Sequence, residues 1–151
     1  MTTHHGAADS PRVVLDTNAS LALFAYADPS CSALRAALLQ RRLCAVVNAV
    51  TRAEWQQVLQ RPALRLDARC RAMAIRDYDE LLVSVENDIA TIGQPTSLPR
   101  CRDPDDQVFL ELARDSRAIA LYTRDRELLR LSRRTLRQAG FVVMKPQDYR
   151  D

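Results

Sequence analysis

Residues 12–18 read RVVLDTN, and this stretch decides the fold. Three apolar residues, two of them β-branched, run unbroken from Val13 and stop at the carboxylate of Asp16. A half-exposed strand would alternate apolar and polar residues. An unbroken apolar run is what a strand covered on both faces presents, and parallel sheets are covered in that way. The pattern recurs at CAVVN (44–48), AIALY (118–122) and FVVM (141–144). Between these runs the spacing predicts helices over 20–27 and 30–42, the second entered through Asp28-Pro29-Ser30. Further helices are predicted over 51–59, from Asp67 to about Val85, and from Asp103-Pro104 through Ala113. A last one starts at Thr123 or Asp125 and reaches about Gln138, where Gly140 ends it. A short irregular strand is expected at Glu86–Ile92, a loop at Gly93–Arg102 and a turn at Pro146–Tyr149. Strands alternating with helices imply an α/β protein, a three-layer α/β/α sandwich around a mostly parallel sheet of four to five strands.

A chain of 151 residues is long enough to bury one continuous core. Residues 1–11 are expected to form a mobile tail and 12–151 a single domain. No apolar run approaches the roughly 20 residues of a membrane span. The opening segment lacks the apolar stretch of a signal peptide, so a cytoplasmic protein is expected. Cys31, Cys44, Cys70 and Cys101 are irregularly spaced with no CxxC pair, and His4 and His5 lie in the tail. That pattern argues against zinc and for buried free thiols in a reducing compartment. Net charge is +3, and Lys145 is the only lysine, so the positive charge is carried by arginine. Arginine forks onto phosphate oxygens, which is compatible with a nucleic-acid substrate. An aromatic content of 5% argues against a stacking platform for single strands.

Four carboxylates fall where predicted strands give way to loops or helices: Asp16, Glu54, Asp106 and Asp125. They converge only if the strands lie parallel and side by side, because ligands of an open α/β sheet bind beyond its carboxyl edge. Gathered there, they would repel one another unless a hard divalent cation neutralised them, and Mg²⁺ or Mn²⁺ suits an all-oxygen site. Each also has a structural explanation. Thr51-x-x-Glu54 reads as a capping box, Asp103 as an N-cap with Asp105 and Asp106 favouring the positive helix end, and Asp125 as a second N-cap. Asp16 differs, because no helix is evident at the next residue and a carboxylate left there without donors or a cation is costly. Asn18 and Thr123 follow the strands as turn residues or as supports for the carboxylates. Trp55 reads as core.

In this order, strand–Asp16-Thr17-Asn18, a helical Glu54, Asp106 at a helix start and Thr123-x-Asp125 after a strand resemble the PIN domain. This is a family of metal-dependent ribonucleases that includes the toxins of bacterial VapBC-type toxin–antitoxin pairs. The resemblance runs from about Arg12 to Tyr149, and RDPDDQVFLELA and the PQDY ending fit the subgroup of PIN-type toxin components. It implies that Asp16, Glu54, Asp106 and Asp125 hold one or two Mg²⁺ or Mn²⁺ ions, with Asp103 as an auxiliary group. Choosing Asp106 over Asp103 and Asp105 rests on the family's spacing to the apolar helical face. It further implies an RNA substrate contacted by Arg124 and Arg102, a cognate antitoxin and a homodimer. Two other readings stay open: a non-catalytic PIN-fold protein-binding module, and a haloacid-dehalogenase-like phosphatase. The phosphatase wants a second aspartate where Asn18 stands and a downstream lysine, whereas Lys145 lies in the last strand. The absence of histidine beyond His5 excludes a metal-free ribonuclease built on histidine acid–base chemistry.

Overall fold

The apolar runs become five strands in the computed structural model, which describes residues 10–85 and 98–151. They are β1 (Arg12–Leu15), β2 (Cys44–Val47), β3 (Val83–Ser84), β4 (Ala120–Tyr122) and β5 (Val142–Met144). All pairings are parallel, in the order β3-β2-β1-β4-β5. From the central β1 the chain therefore works outward through β2 and β3, then crosses back to lay down β4 and β5 on the other side. The reversal falls between β1 and β4, where Leu15 pairs with Tyr122.

Alternation along these strands feeds two cores. Val13, Leu15, Ala45, Val47, Ala120 and Tyr122 face one side; Val14, Val46, Leu121 and Val143 face the other. The first side is covered by α1 (Thr17–Ser20), a π-helical turn (Leu21–Ala25), α2 (Ser32–Leu39), α3 (Ala49–Leu59) and α4 (Ala68–Leu81). Phe24, Trp55 and Tyr78 pack together there, Trp55 stacked on Tyr78 at 4.8 Å between ring centroids. The second side is covered by α5 (Pro104–Asp115) and α6 (Arg126–Leu129), through Phe109, Leu110, Ala113 and Leu128. Next in the chain is α7 (Ser132–Ala139), which packs against β5; Thr135 is fully buried, and its hydroxyl donates to the carbonyl of Phe141 at 2.8 Å. The result is the expected three-layer sandwich, with a sheet that is wholly parallel.

Several local expectations change. A helix does begin right after Asp16, and the predicted 20–27 helix is instead α1 followed by the π-helical turn. The 30–42 helix divides into a 3₁₀ turn (Pro29–Cys31) and α2. Thr51 does not cap α3. Asn48 does, exchanging hydrogen bonds with Thr51 in a capping box that leaves Glu54 out. The third strand comes earlier than expected, at Val83–Ser84; the 86–92 prediction, like the first half of the 93–102 loop and most of the tail, lies outside the described residues. The helix predicted to Gln138 breaks into α6 and α7, because the chain tightens into an i→i+3 bond from Leu131 N–H to Leu128 O. Gly140, with φ of 78°, then closes α7 from the left-handed region. All four cysteines are free, but only Cys31 and Cys44 are buried; Cys70 is exposed.

Candidate active site

Asp16 sits at the carboxyl end of β1, 3% exposed. Its amide continues the ladder by donating to the carbonyl of Tyr122 at 3.1 Å, and its side chain turns to cap α1. Oδ1 accepts from the Ala19 amide at 2.8 Å, and Oδ2 accepts the hydroxyl of the neighbouring Thr123. The carboxylate that sequence reading left without donors is thus well supplied with them. Burial still dominates and pushes its pKa up to about 6, the charge of Asp125 adding to the rise and the hydrogen bonds opposing it.

Thr123, fully buried after β4, connects two carboxylates through one hydroxyl. It donates to Asp16 and accepts the amide of Asp125 at 2.9 Å. Asp125 in turn caps α6, accepting from the Glu127 amide at 2.8 Å. Opposite, Asp103 caps α5 by accepting the Asp105 amide at 2.9 Å. Asp106 lies in the first turn, one helical turn before the buried Phe109 and Leu110, so it faces inward while Asp105 stays exposed. Its carboxyl is pushed up to about 7 by burial first, then by Asp125 and Asp103, with Asp16 also contributing. The nearness of the Asp125 carboxyl thus holds Asp106 toward its protonated form.

Asp103, Asp106 and Asp125 line a cleft of about 220 Å³. Arg100, Cys101 and Arg102 form one lip, and Glu127, Leu128 and Leu131 the other. The first lip is tethered by Gln107, whose Oε1 accepts the Cys101 amide at 2.7 Å and whose Nε2 donates to the Pro99 carbonyl at 3.2 Å. Burial and the nearby acids raise the Cys101 thiol to about 11. It is a neutral thiol at pH 7 and offers no soft thiolate.

The remaining candidates are placed differently. Glu54 stands half-exposed on α3; it neither lines this cleft nor figures among the charges acting on Asp16 and Asp106. Asn18 is exposed, and its backbone amide bears on Asp16. Arg102 is exposed on the cleft lip. Arg124 turns away: Nη2 donates to Asp28 Oδ2 at 2.7 Å and to Ser30 Oγ at 3.2 Å. Sequence reading missed Asp28 as that partner, since nothing local ties residues so far apart. It also passed over Gln107, whose only signal is its place in the DPDDQ turn. Among the described residues, no three histidine, cysteine or acidic side chains stand together closely enough to hold a metal ion. The expected four-carboxylate cluster is therefore not assembled as such. Asp16, Asp106 and Asp125 come within electrostatic reach of one another, and Glu54 stands apart.

None of the described helices is long and apolar enough to cross a membrane. No curated protein matches the chain. Among solved structures, the chain is similar to VapBC2 from Rickettsia felis, determined bound to a DNA fragment from their promoter. That match has 12% identity and a TM-score of 0.55, covering 87% of this chain and 96% of that one. A second is PAE2754 from Pyrobaculum aerophilum, with 18% identity and a TM-score of 0.47, covering 95% of this chain and 90% of that one. At 12% identity the likeness to VapBC2 is one of fold. The family model for the PIN domain matches residues 12–127, a span that takes in β1, α5, every carboxylate discussed above and all of the cleft lining except Leu128 and Leu131. The chain belongs to the PIN domain family.

Proposed function

We propose that the chain is a metal-dependent endoribonuclease, the toxin of a type II toxin–antitoxin pair, acting at the cleft between α5 and α6. The observation that carries this reading is the convergence of Asp16, Asp106 and Asp125 beside the β1–β4 reversal, where open α/β sheets bind ligands. The ion pairs of the described residues leave all three out. PIN domains are generally nucleases that use divalent metals, and the donor chemistry here suits a hard cation: oxygen ligands of like charge, with the one nearby sulfur protonated. When bound, Mg²⁺ or Mn²⁺ supplies a lowered water pKa and charge stabilisation on phosphate oxygens.

Asp16, Asp106 and Asp125 would hold the ion, with Asp103 and Glu54 as the further acids the family pattern offers. Thr123 sets the orientation of Asp16 and the start of α6 together, so the two cannot drift independently. Asp106, raised to about 7, must lose its proton to bind as a carboxylate, which couples metal binding to pH. Arg100 and Arg102 stand where a phosphodiester entering the cleft would meet positive charge. Family analogy gives products with a 5′-phosphate and a 3′-hydroxyl. An antitoxin that occludes the cleft and a homodimer are the partners this reading implies, and the fold shared with VapBC2 supports the former.

The test is cleavage of RNA by the purified chain with Mg²⁺ or Mn²⁺, with chelator, and with Asp16→Asn. Activity that needs the ion and vanishes in the variant is expected; undiminished cleavage by Asp16→Asn would reject the assignment. The separation of the acidic side chains favours one second reading, a non-catalytic protein-binding module. Mn²⁺ titration decides between them, since an ion held by the folded state raises its melting temperature and a chain without a site shows no rise.

A further inference from the structure

α6 and α7 carry a run of arginines that, among the described residues, meets a single acid. Arg126, Arg130, Arg133, Arg134 and Arg137 are all exposed, and the only acid among residues 126–137 is Glu127, paired with Arg130. Several arginines elsewhere are engaged, and those that are not, such as Arg61, Arg65, Arg69, Arg100 and Arg102, are not gathered on one short helix. Arg35, Arg42, Arg52 and Arg124 meet carboxylates, and Arg12 and Arg71 meet backbone carbonyls. Among the described residues, Arg126, Arg133, Arg134 and Arg137 have no such partner.

Their placement also works against the helix that holds them. α7 has no side-chain cap and no acid in its first turn, yet Arg133 and Arg134 stand in that turn, at the positive end of the helix dipole. Arg133 and Arg137 are four residues apart, a like-charge spacing that destabilises a helix. Thr135, fully buried, and Ser132, whose hydroxyl accepts the Val143 amide at 2.9 Å, fix the inner face against β5. The arginines are thereby held outward. Arg137 in the last turn suits the helix dipole, but the first-turn arginines and the Arg133–Arg137 repulsion do not, and an anionic ligand along the face would relieve both.

The arginine face leads away from the cleft. Asp125 caps α6, and Glu127, Leu128 and Leu131 form the cleft wall, so the exposed arginines begin on the adjoining face of the same segment. Arg126 lies on α6 and Arg133, Arg134 and Arg137 lie on α7, with the turn at Arg130–Leu131 between the two helices. We propose that this face binds the phosphodiester backbone of the RNA strand flanking the scissile bond, with Arg133, Arg134 and Arg137 as its principal contacts. The proposal rests on the nuclease reading and adds the track by which substrate reaches that site.

The test is binding of a labelled, mixed-sequence single-stranded RNA as a function of salt, in an Asp106→Asn background so that the probe survives. Arg133→Gln/Arg134→Gln/Arg137→Gln is compared with Arg61→Gln/Arg65→Gln/Arg69→Gln, an equal charge change on exposed residues of the α3–α4 connection and the first turn of α4. Glutamine keeps helix propensity, and thermal melting checks that each variant folds. Loss of three phosphate contacts should lower the slope of log K against log salt by about 2 and weaken binding about tenfold or more in the first variant alone. Equal slopes in the α7 variant and its parent, or equal losses in both triple variants, would overturn the proposal. So would α7-dependent binding to phosphatidylserine vesicles without RNA binding. If the α7 slope falls but the chain with its native Asp106 and Mn²⁺ cleaves no RNA, the nuclease reading fails and the binding face stands.

Discussion

Asp28 caps a helical turn and Asp106 sits in the first turn of α5, and their surroundings drive them in opposite directions. Asp28 accepts the Ser30 amide at 2.9 Å, the Ser30 hydroxyl at 2.8 Å and Arg124 at 2.7 Å, and its carboxyl is held down at about 2, chiefly by the bond from Arg124. Asp106 meets Asp125, Asp103 and Asp16, and rises to about 7. The two regions part company at adjacent residues, Arg124 reaching into the first and Asp125 into the second. An arginine at the cleft's own turn is thus used to close a structural contact, while the acids beside it stay uncompensated. A chain with 22 basic residues does not lack the charge to neutralise them. Carboxylates left out of ion pairs in this way are the donors that the proposed metal site calls for.

The largest expected effect separates the two regions by activity. Removing a group that merely supports a metal ligand costs about 10–100-fold, so Asp106→Asn should lower metal-dependent RNA cleavage by about a hundredfold or more. Asp28→Asn should lower it by less than about tenfold, because that residue acts only through the Arg124 contact. Initial rates at saturating Mn²⁺ measure both. Equal losses would show that the paired region is part of the reacting site and would dissolve the contrast.

Next comes stability against pH in the presence of chelator. Asp16 and Asp106 carry folded-state values of about 6 and about 7 against 3.8 for the free carboxyl, so the folded state binds these protons more tightly. Their stabilising contribution is complete below about pH 4 and is lost as pH rises through 6 and 7. For Asp16 alone the displacement corresponds to about 3 kcal/mol. Asp28 has the opposite sign: its contribution is present above about pH 4 and lost as pH falls toward 2. Urea denaturation should therefore find the metal-free chain on the order of 2 kcal/mol less stable at pH 7.5 than at pH 5, with Mn²⁺ recovering the loss. Asp16→Asn should flatten that limb and raise the melting temperature at pH 7.5 by about 5 °C while abolishing cleavage. A chain equally stable at both pH values would remove the strain from the acidic region.

Much of this was visible in the residues, and what was not has a physical reason. The strands were legible because unbroken apolar runs such as VVL and AIALY admit few placements other than between two layers. The inward face of Asp106 was legible too, since Phe109, Leu110 and Ala113 repeat on the helical period that begins with it. Asp16 was half-legible: an aspartate that ends a strand and one that caps a helix look alike when the helix has four residues and passes into a π-helical turn. Asn48 and Thr51 both suit an N-cap, and only the geometry shows the first capping while the second occupies the third helical position, freeing Glu54 from the box. The direction of Arg124 was not legible at all, because its partner lies 96 residues away and the two meet only once β1 and β4 are paired.

The smallest effect is the one that fixes what Arg124 is for. Its ion pair with Asp28 has both side chains about one-third exposed, 35% and 31%, so solvent screens it and a double-mutant cycle should return about 0.5–1 kcal/mol. Arg124→Ala, Asp28→Ala and the double variant, compared by urea denaturation at pH 7.5, give that coupling directly. A value in this range makes the pair a modest strut between the 28–31 turn and the loop bearing Thr123 and Asp125, and its loss should loosen the cleft more than it unfolds the chain. RNA affinity measured on the same variants separates the strut from a substrate contact. A strut weakens binding equally whether Arg124 or Asp28 is removed, whereas an arginine that touches phosphate makes Arg124→Ala far more damaging and lowers the salt slope. The first outcome keeps the paired and unpaired regions distinct; the second would return Arg124 to the substrate.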